Sequence, residues 1–86
     1  MAHADNGKQD HVLHDFGQRL RSLRKARNLR QQDMEDLGLS YKYYQRLESG
    51  QVNPTLLTLY RVARALEVSM SDFFCTDTKP RNVDEP

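Results

Sequence analysis

The chain has 86 residues, of which 29% are charged, and its 13 Lys and Arg nearly balance its 12 Asp and Glu. A chain of this length accommodates a single domain. No apolar run is long enough to span a bilayer, and no apolar stretch follows a basic N-terminus as in a secretory signal, so we expect no membrane partner. A single cysteine, Cys75, excludes an internal disulfide and a cysteine-rich zinc site. We therefore expect a cytoplasmic protein that needs no cofactor.

Charge is distributed unevenly along the chain. Residues 16–66 hold ten Lys and Arg against four Asp and Glu, whereas residues 1–15 and 67–86 each carry a small excess of acidic side chains. Concentrated positive charge of this kind favours a polyanionic partner. Residues 1–10 and 76–86 are almost devoid of large apolar side chains. We interpret them as disordered tails on either side of one domain at residues 11–75.

Helical periodicity runs through the whole central region. Apolar residues at three- and four-residue spacing predict five helices, at about residues 11–27, 31–37, 41–48, 56–66 and 69–74. Ser40, Thr55 and the Ser69–Asp72 pair are typical helix starts, while Asn28 and Gly50 are typical left-handed stops. Because no segment alternates with a period of two, the prediction is an all-α five-helix bundle.

The same spacing predicts which side chains face the core. They are Val12, Leu13, Phe16, Leu20 and Leu23 in the first helix, Met34 and Leu37 in the second, Tyr44 and Leu47 in the third, and Leu56, Leu59, Val62, Ala63 and Leu66 in the fourth. The end of the fourth helix and the last helix are more apolar than a small monomer needs, which predicts a dimer interface formed by Leu66, Val68, Met70, Phe73 and Phe74. The alternative is that these five side chains simply close the core of the monomer.

Two short helices joined by a glycine-containing turn form a helix-turn-helix unit, and the segment 31–47 has the length of such a unit. Five short stretches occur in order around it: NLRQQDM at 28–34, LGLS at 37–40, LESG at 47–50, NPT at 53–55 and VARALEV at 62–68. This ordered set resembles the lambda and 434 repressor and Cro type of domain, the Xre family. The resemblance implies a transcriptional regulator, of the phage-repressor or restriction–modification controller kind, that binds double-stranded DNA as a homodimer on a pseudo-palindromic operator.

The resemblance also implies roles for individual residues. In the family the third helix lies in the major groove and reads base edges. The matching base-reading positions are Tyr41, Lys42, Gln45 and Arg46. The residues expected to contact or position the DNA backbone are Arg27, Arg30, Gln31, Gln32, Tyr43, Ser49, Gln51 and Asn53. A buried ion pair between Arg24 and Glu48 is implied as the link between the first and third helices.

Three features depart from the family pattern. The second helix is one residue short before Gly38, Glu35 stands where the family has Ala, and Tyr44 replaces Ile or Val. A buried, unpaired carboxylate at Glu35 would be costly, so this side chain either turns outward or meets a cation. The hydroxyl of Tyr44 needs a hydrogen-bond partner or a route to solvent.

Other function classes find little support in the sequence. There is no glycine-rich phosphate loop, no nucleophile with a placed histidine and no pair of inward carboxylates, so we expect no enzymatic activity. His11 and His14 have a spacing compatible with a metal, but no third ligand is near in sequence, and we expect neither a metal nor a small-molecule effector. The remaining alternative is a protein-interaction module such as an antitoxin. Residues 76–86 offer only Val83 as an apolar anchor for a toxin, which favours DNA as the partner.

Overall fold

The computed structural model describes residues 6–74, with side chains from residue 11 onward. The described part contains the α-helices α1 (Asn6–Ala26), α2 (Asp33–Asp36), α3 (Tyr41–Glu48) and α4 (Leu56–Leu66), followed by a 3-10 helix, η1 (Met70–Phe74). No strand occurs within residues 6–74, so the all-α prediction is confirmed there. The count of five α-helices is not confirmed, because the fifth element is a 3-10 helix.

The boundaries of the elements differ from the predicted ones mainly at α1 and α2. Helix α1 begins at Asn6, so residues 6–10, predicted as part of a disordered tail, are helical. Polar residues can extend a helix whose later turns are packed, and no apolar signal marks such an extension. Helix α2 comprises only four residues and is preceded by a hydrogen-bonded turn. The rest of the predicted tails, residues 1–5 and 76–86, and Cys75 lie outside the described residues.

Local capping explains where most of the helices start and stop. Ser40 Oγ accepts the amide of Tyr43 at 3.3 Å, and Thr55 Oγ1 accepts the amide of Thr58 at 3.1 Å. Both N-cap predictions are therefore confirmed. Asn28 and Gly50 have φ values of 60° and 76°, which confirms them as left-handed stops.

The hydrophobic core is built from all four α-helices and η1. Its buried side chains are Phe16, Leu20, Met34, Leu39, Tyr44, Leu47, Val62, Ala63, Leu66 and Phe73. Three side chains predicted to face inward are instead exposed, namely Val12, Leu37 and Leu56. Val12 precedes the first buried side chain of α1 by a turn, and Leu56 occupies the first position of α4. Leu37 lies just beyond the short α2, and Leu39 takes the core position instead.

The 3-10 helix η1 is held against α1 by rings and one hydrogen bond. Phe16 and Phe73 meet edge to face with ring centroids 5.4 Å apart. Arg19 Nε donates to the carbonyl of Asp72 at 2.7 Å. The end of the described chain therefore closes the monomer core on the side of α1.

A glycine allows α1 and α3 to cross with their backbones in contact. A Cβ atom at Gly17 would lie 2.3 Å from the carbonyl oxygen of Glu48 and 2.8 Å from that of Leu47. Real Cβ atoms do not approach a carbonyl oxygen this closely, so only glycine fits without moving one helix. The periodicity analysis did not single out this residue, because Gly17 carries no side chain that the pattern could register.

A buried ion pair locks the same crossing. Arg24 Nε donates to Glu48 Oε2 at 2.6 Å and Arg24 Nη2 donates to Oε1 at 3.0 Å. The remaining terminal nitrogen of Arg24, Nη1, donates to the carbonyl of Leu29 at 2.7 Å. Both charged residues are buried, so the implied pair between Arg24 and Glu48 is confirmed. Removal of one partner of such a pair typically costs about 3–5 kcal/mol, because the other charge is left uncompensated.

Glu35 meets the expectation for its position, whereas among the described residues the Tyr44 hydroxyl has neither the hydrogen-bond partner nor the route to solvent that was expected of it. Glu35 is exposed, since the short α2 turns it outward. Tyr44 is fully buried, and its hydroxyl has no hydrogen bond of good geometry within the described residues, although it adjoins the Arg24–Glu48 pair. Burial raises the pKa of the Tyr44 phenol far above its ordinary value, so the hydroxyl stays protonated.

We expect Gly17→Ala to destabilise the protein by at least ~2 kcal/mol, because the new methyl group would force α1 away from the end of α3. At an ordinary helix position the same change stabilises by about 1 kcal/mol, so the sign of the effect is diagnostic. Urea unfolding followed by circular dichroism measures it. Ser22→Ala, at an exposed position of α1, is the control and should be neutral or slightly stabilising. A Gly17→Ala protein as stable as the native one would contradict the close crossing.

A second prediction concerns pH. Burial alone would raise the pKa of Glu48, but hydrogen bonds from Arg24 and Gln31 outweigh it and hold that pKa below its ordinary value of 4.5. A lowered folded-state pKa contributes stability that is present above the unfolded-state pKa and is lost as the pH falls through the folded-state value. The difference in unfolding free energy between native protein and Glu48→Gln should therefore be largest near neutral pH and shrink below about pH 4.5.

Unfolding curves between about pH 7 and about pH 3 test this expectation. Glu35→Gln is the matched control, because Glu35 is exposed and its loss should leave the unfolding free energy within about 0.5 kcal/mol at every pH. A Glu48→Gln difference that stays constant across the whole range would show that the ion pair is not the source of the pH dependence.

Candidate nucleic-acid interface

The outward face of α3 carries hydrogen-bond donors that are held in a fixed phase. Tyr44 and Leu47 are buried, so the helix cannot rotate without losing them from the core. This phase exposes Lys42, Gln45 and Arg46 on the opposite side. Lys42 and Arg46 are four residues apart and thus lie one above the other on the helix. Three of the four predicted base-reading side chains therefore share one exposed face, and the fourth, Tyr41, is half-buried at its start.

Two adjoining concavities surround this face. The smaller, about 440 Å³, is lined by Gln31, Lys42, Gln45, Arg46, Ser49 and Gln51. The larger, about 970 Å³, lies between α1 and α3, and we call it the basic groove. Its exposed cations are Arg21, Lys25 and Arg30. We call the exposed side of α3 that carries Lys42, Gln45 and Arg46 the recognition face, after its expected role. Because Gln31, Gln45 and Ser49 line both concavities, the recognition face and the basic groove form one continuous surface.

One wall of the basic groove is formed by residues that were not among the predicted site residues. It is a polar stripe of α1 and the turn after it, formed by His14, Gln18, Arg21, Lys25 and Asn28. These residues follow spacings of three and four, as one face of a helix requires. The signal was present as the polar complement of the apolar stripe, but only the packing of α1 against α3 places it beside the recognition face.

The residues expected at the DNA backbone occupy different environments. Gln32 lines the basic groove, Gln51 lines the smaller concavity, and Gln31 and Ser49 line both. Asn53 is exposed but lines neither concavity, and Tyr43 is half-buried against the core.

Both arginines expected at the DNA backbone, Arg27 and Arg30, already have intramolecular partners. Arg27 Nη1 donates to the carbonyl of Leu66 at 2.8 Å and lies 3.3 Å from Glu67, so it caps α4 and does not line the basic groove. Arg30 lines the groove but pairs with Asp33 at 2.9 Å. Hydrogen bonding to Arg30 lowers the pKa of Asp33, which keeps this carboxylate ionised beside the arginine. Arg21 and Lys25 are therefore stronger candidates for phosphate contacts than Arg27.

A chain of hydrogen bonds leads from the buried ion pair to the recognition face. Gln31 Nε2 donates to Glu48 Oε1 at 2.9 Å. Gln45 Nε2 lies 3.5 Å from Gln31 Oε1 and 3.2 Å from the hydroxyl oxygen of Tyr41, to both of which it donates. The turn that precedes α2 is thus connected to α3 by side-chain hydrogen bonds.

The predicted dimer surface needs correction. Leu66 and Phe73 are buried in the monomer core, and Val68 and Met70 pack against it while remaining partly exposed. Only Phe74 is well exposed, at 64% of its surface, and its ring stacks on Phe16. A second set of large exposed apolar side chains lies on α4, at Leu56, Leu57 and Tyr60.

Within the described residues no three His, Cys, Asp or Glu side chains come together as a metal site would require. Among residues 6–74, no helix combines the length and the apolar character needed to cross a bilayer.

The chain is similar to known proteins over its helical domain. A helix-turn-helix family model matches residues 20–73. An uncharacterised HTH-type transcriptional regulator of Sinorhizobium fredii, y4dJ, is 43% identical over 54 residues, which cover 62% of this chain and 70% of that protein. The cryptic phage CTXphi transcriptional repressor RstR of Vibrio cholerae is 41% identical over 56 residues, which cover 64% of this chain and 50% of the repressor.

Among solved structures, the chain is similar to the restriction–modification controller protein C.AhdI from Aeromonas hydrophila, with a TM-score of 0.72 and 38% identity. The match covers 74% of this chain and 98% of the controller. Family model, relatives and structure all match the region that contains α2, α3 and the turn between them. The chain therefore belongs to the helix-turn-helix family of the Xre type.

Proposed function

We propose that this protein is a sequence-specific transcriptional regulator that binds double-stranded DNA and reads the major groove with α3. The observation that carries the proposal is the exposed donor face of α3, with Lys42, Gln45 and Arg46, directly adjoining the basic groove. A major groove is wide enough for one helix, and Lys or Arg donate well to guanine O6 and N7. The names of the relatives, a regulator, a repressor and a controller, support the same function.

The basic groove supplies the sequence-independent part of the binding. Arg21 and Lys25 project from α1 beside the recognition face, where a phosphate backbone would run if α3 entered the groove. Neutralising phosphates releases counterions, which gives most of the affinity and makes it depend on salt. Contacts of this kind position the protein, while contacts of α3 with base edges provide specificity.

The regulator acts as a homodimer on a pseudo-palindromic operator. One recognition helix contacts only a few base pairs, which is too little information for a genome, whereas a two-fold dimer places two such helices about 34 Å apart, one turn of B-DNA. We propose the C-terminal element around η1 as the contact between protomers. Phe74 supports the choice of this surface: its phenyl ring is exposed and stacks on Phe16, and burying the ring against a second protomer would be favourable.

A protein-interaction module, such as an antitoxin, is the second candidate. The exposed apolar side chains Leu37, Leu57 and Tyr60 favour it, since contiguous apolar surface is what a protein partner would cover. The two candidates differ in one measurement: a selected-site DNA-binding experiment enriches a defined sequence only if the protein reads base edges.

Replacement of Arg46 by Ala should cost ~1–3 kcal/mol of affinity for the cognate operator and relax the preference at one base pair, because a base contact is lost. Replacement of Lys25 by Ala should instead weaken binding to all sequences alike and reduce the salt slope by about one unit. Fluorescence anisotropy with cognate and scrambled duplexes at several salt concentrations separates the two effects.

Arg61→Ala is the control for both variants. It also removes one positive charge, but Arg61 lines a separate concavity with Tyr60 and Gly38, so base preference and salt slope should both stay near their native values. If Arg46→Ala retained the native base preference, α3 would not read the groove through this face.

Phe74→Glu should convert the free protein to a monomer and reduce the complex with a symmetric operator from two protomers to one, because a carboxylate would be buried at the interface. Sedimentation velocity of the free protein and of its complex measures both states. Leu57→Glu is the matched control, since Leu57 is similarly exposed, at 59% against 64%, but lies on α4. Dissociation by Leu57→Glu and not by Phe74→Glu would assign the interface to α4 instead.

A further inference from the structure

The hydrogen-bond chain from Glu48 to Tyr41 has a direction that is fixed at its buried end. Both carboxylate oxygens of Glu48 accept from Arg24, and Oε1 also accepts from Gln31. An ionised carboxylate can only accept hydrogen bonds. The group of Gln31 that faces Glu48 must therefore be its NH2, and its carbonyl oxygen must point the other way, toward Gln45.

The orientation of Gln31 in turn orients Gln45. The NH2 of Gln45 lies between two acceptors, Gln31 Oε1 at 3.5 Å and the hydroxyl oxygen of Tyr41 at 3.2 Å. An amide NH2 has two hydrogens, one for each of these acceptors. The carbonyl oxygen of Gln45 is then the group left to meet an incoming ligand, on a side chain that is exposed on α3.

We propose that this series of side chains, Glu48, Gln31, Gln45 and Tyr41, acts as an amide relay that makes Gln45 an acceptor-only reader of base edges. The base it selects carries an amino group in the major groove, cytosine or adenine on the contacted strand. Guanine and thymine present O6, N7 or O4 there, so acceptor would face acceptor. Gln31 is a positioning residue, because it acts through Gln45.

The relay also distinguishes Gln45 from a glutamine with a free side chain. A free glutamine can donate to adenine N7 while it accepts from N6, and so selects adenine with two hydrogen bonds. In the relay the NH2 of Gln45 is held by Gln31 and Tyr41, so only the single bond to an amino group remains. The inference rests on the proposed function, since it assigns the chemistry of one contact within it.

A selected-site experiment with variants tests the base preference. Gln45→Ala should abolish the preference at one base-pair position and so identify it. Gln31→Met, which keeps the length of the side chain but breaks the relay, should reduce discrimination between amino-bearing and keto-bearing bases at that same position by about fivefold to tenfold. The position read by Arg46 should keep its preference. Glu35→Met, at an exposed site on α2, is the control with the same new side chain and should leave both preferences intact.

Nuclear magnetic resonance of the free, full-length protein tests the relay without DNA. Gln31→Met should shift the side-chain amide resonances of Gln45 and speed their exchange with water, whereas Glu35→Met should leave them in place. Unchanged Gln45 amide resonances in Gln31→Met would overturn the relay. A native preference for guanine or thymine at the Gln45 position, or an undiminished preference in Gln31→Met, would overturn its role in specificity.

The two experiments also separate this inference from the proposed function. If the native protein enriched no sequence at all, the proposed function and the specificity role would both be refuted, while the resonances of Gln45 would still show whether the relay exists. If the protein enriched a defined operator but Gln31→Met left its sequence unaltered, the function would stand and the specificity role of the relay would fall.

Discussion

The ion pair between Arg24 and Glu48 is the constraint around which this small domain is arranged. Burying two charges is favourable only when every donor and acceptor finds a partner. Each of the three guanidinium nitrogens donates a hydrogen bond, two of them to Glu48 and one to the carbonyl of Leu29, while the carboxylate also accepts a hydrogen bond from Gln31. One buried site thus ties together α1, the turn that follows it, the approach to α2 and the end of α3. The close crossing at Gly17 brings α1 and α3 near enough for the pair to form.

The same site connects stability to recognition. Helix α3 is held in one rotational phase by Tyr44 and Leu47 inside the core, and in one axial position by Glu48 at its end. A helix that can neither rotate nor slide presents its outer side chains with little loss of entropy on binding. Through Gln31, the buried carboxylate also fixes which atoms of the outer amides are available. The buried Glu48 therefore contributes both to the fixed position of α3 and to the arrangement of donors and acceptors on its outer face.

Some apolar side chains close the core of the monomer, and others stay exposed, where a partner could cover them. Phe73 completes the core by its edge-to-face contact with Phe16, whereas the adjacent Phe74 stacks on the same ring, with centroids 6.4 Å apart, and stays exposed. A 3-10 helix has close to three residues per turn, so two consecutive side chains point in clearly different directions. This geometry allows neighbouring phenylalanines to serve the core and the surface separately.

The sequence by itself determined the features that depend on a few neighbouring residues. Ser40 and Thr55 as caps, Asn28 and Gly50 as stops, and the bounds of α3 all follow from local hydrogen bonding and backbone preference. The pair of Arg24 and Glu48, 24 residues apart, was accessible only through the resemblance to a family.

Only the tertiary structure decided the features that depend on which elements become neighbours. The need for glycine at position 17 arises only because α3 crosses α1 there. Arg27 acts as a cap only because α4 ends beside it. The polar stripe of α1 forms the wall of a groove only because α1 packs against α3. The exchange of Leu37 for Leu39 in the core has the same cause, since a four-residue α2 redirects the chain before its periodicity is complete. Local patterns specify helices and their faces, but contacts between helices are set by packing, which no single segment encodes.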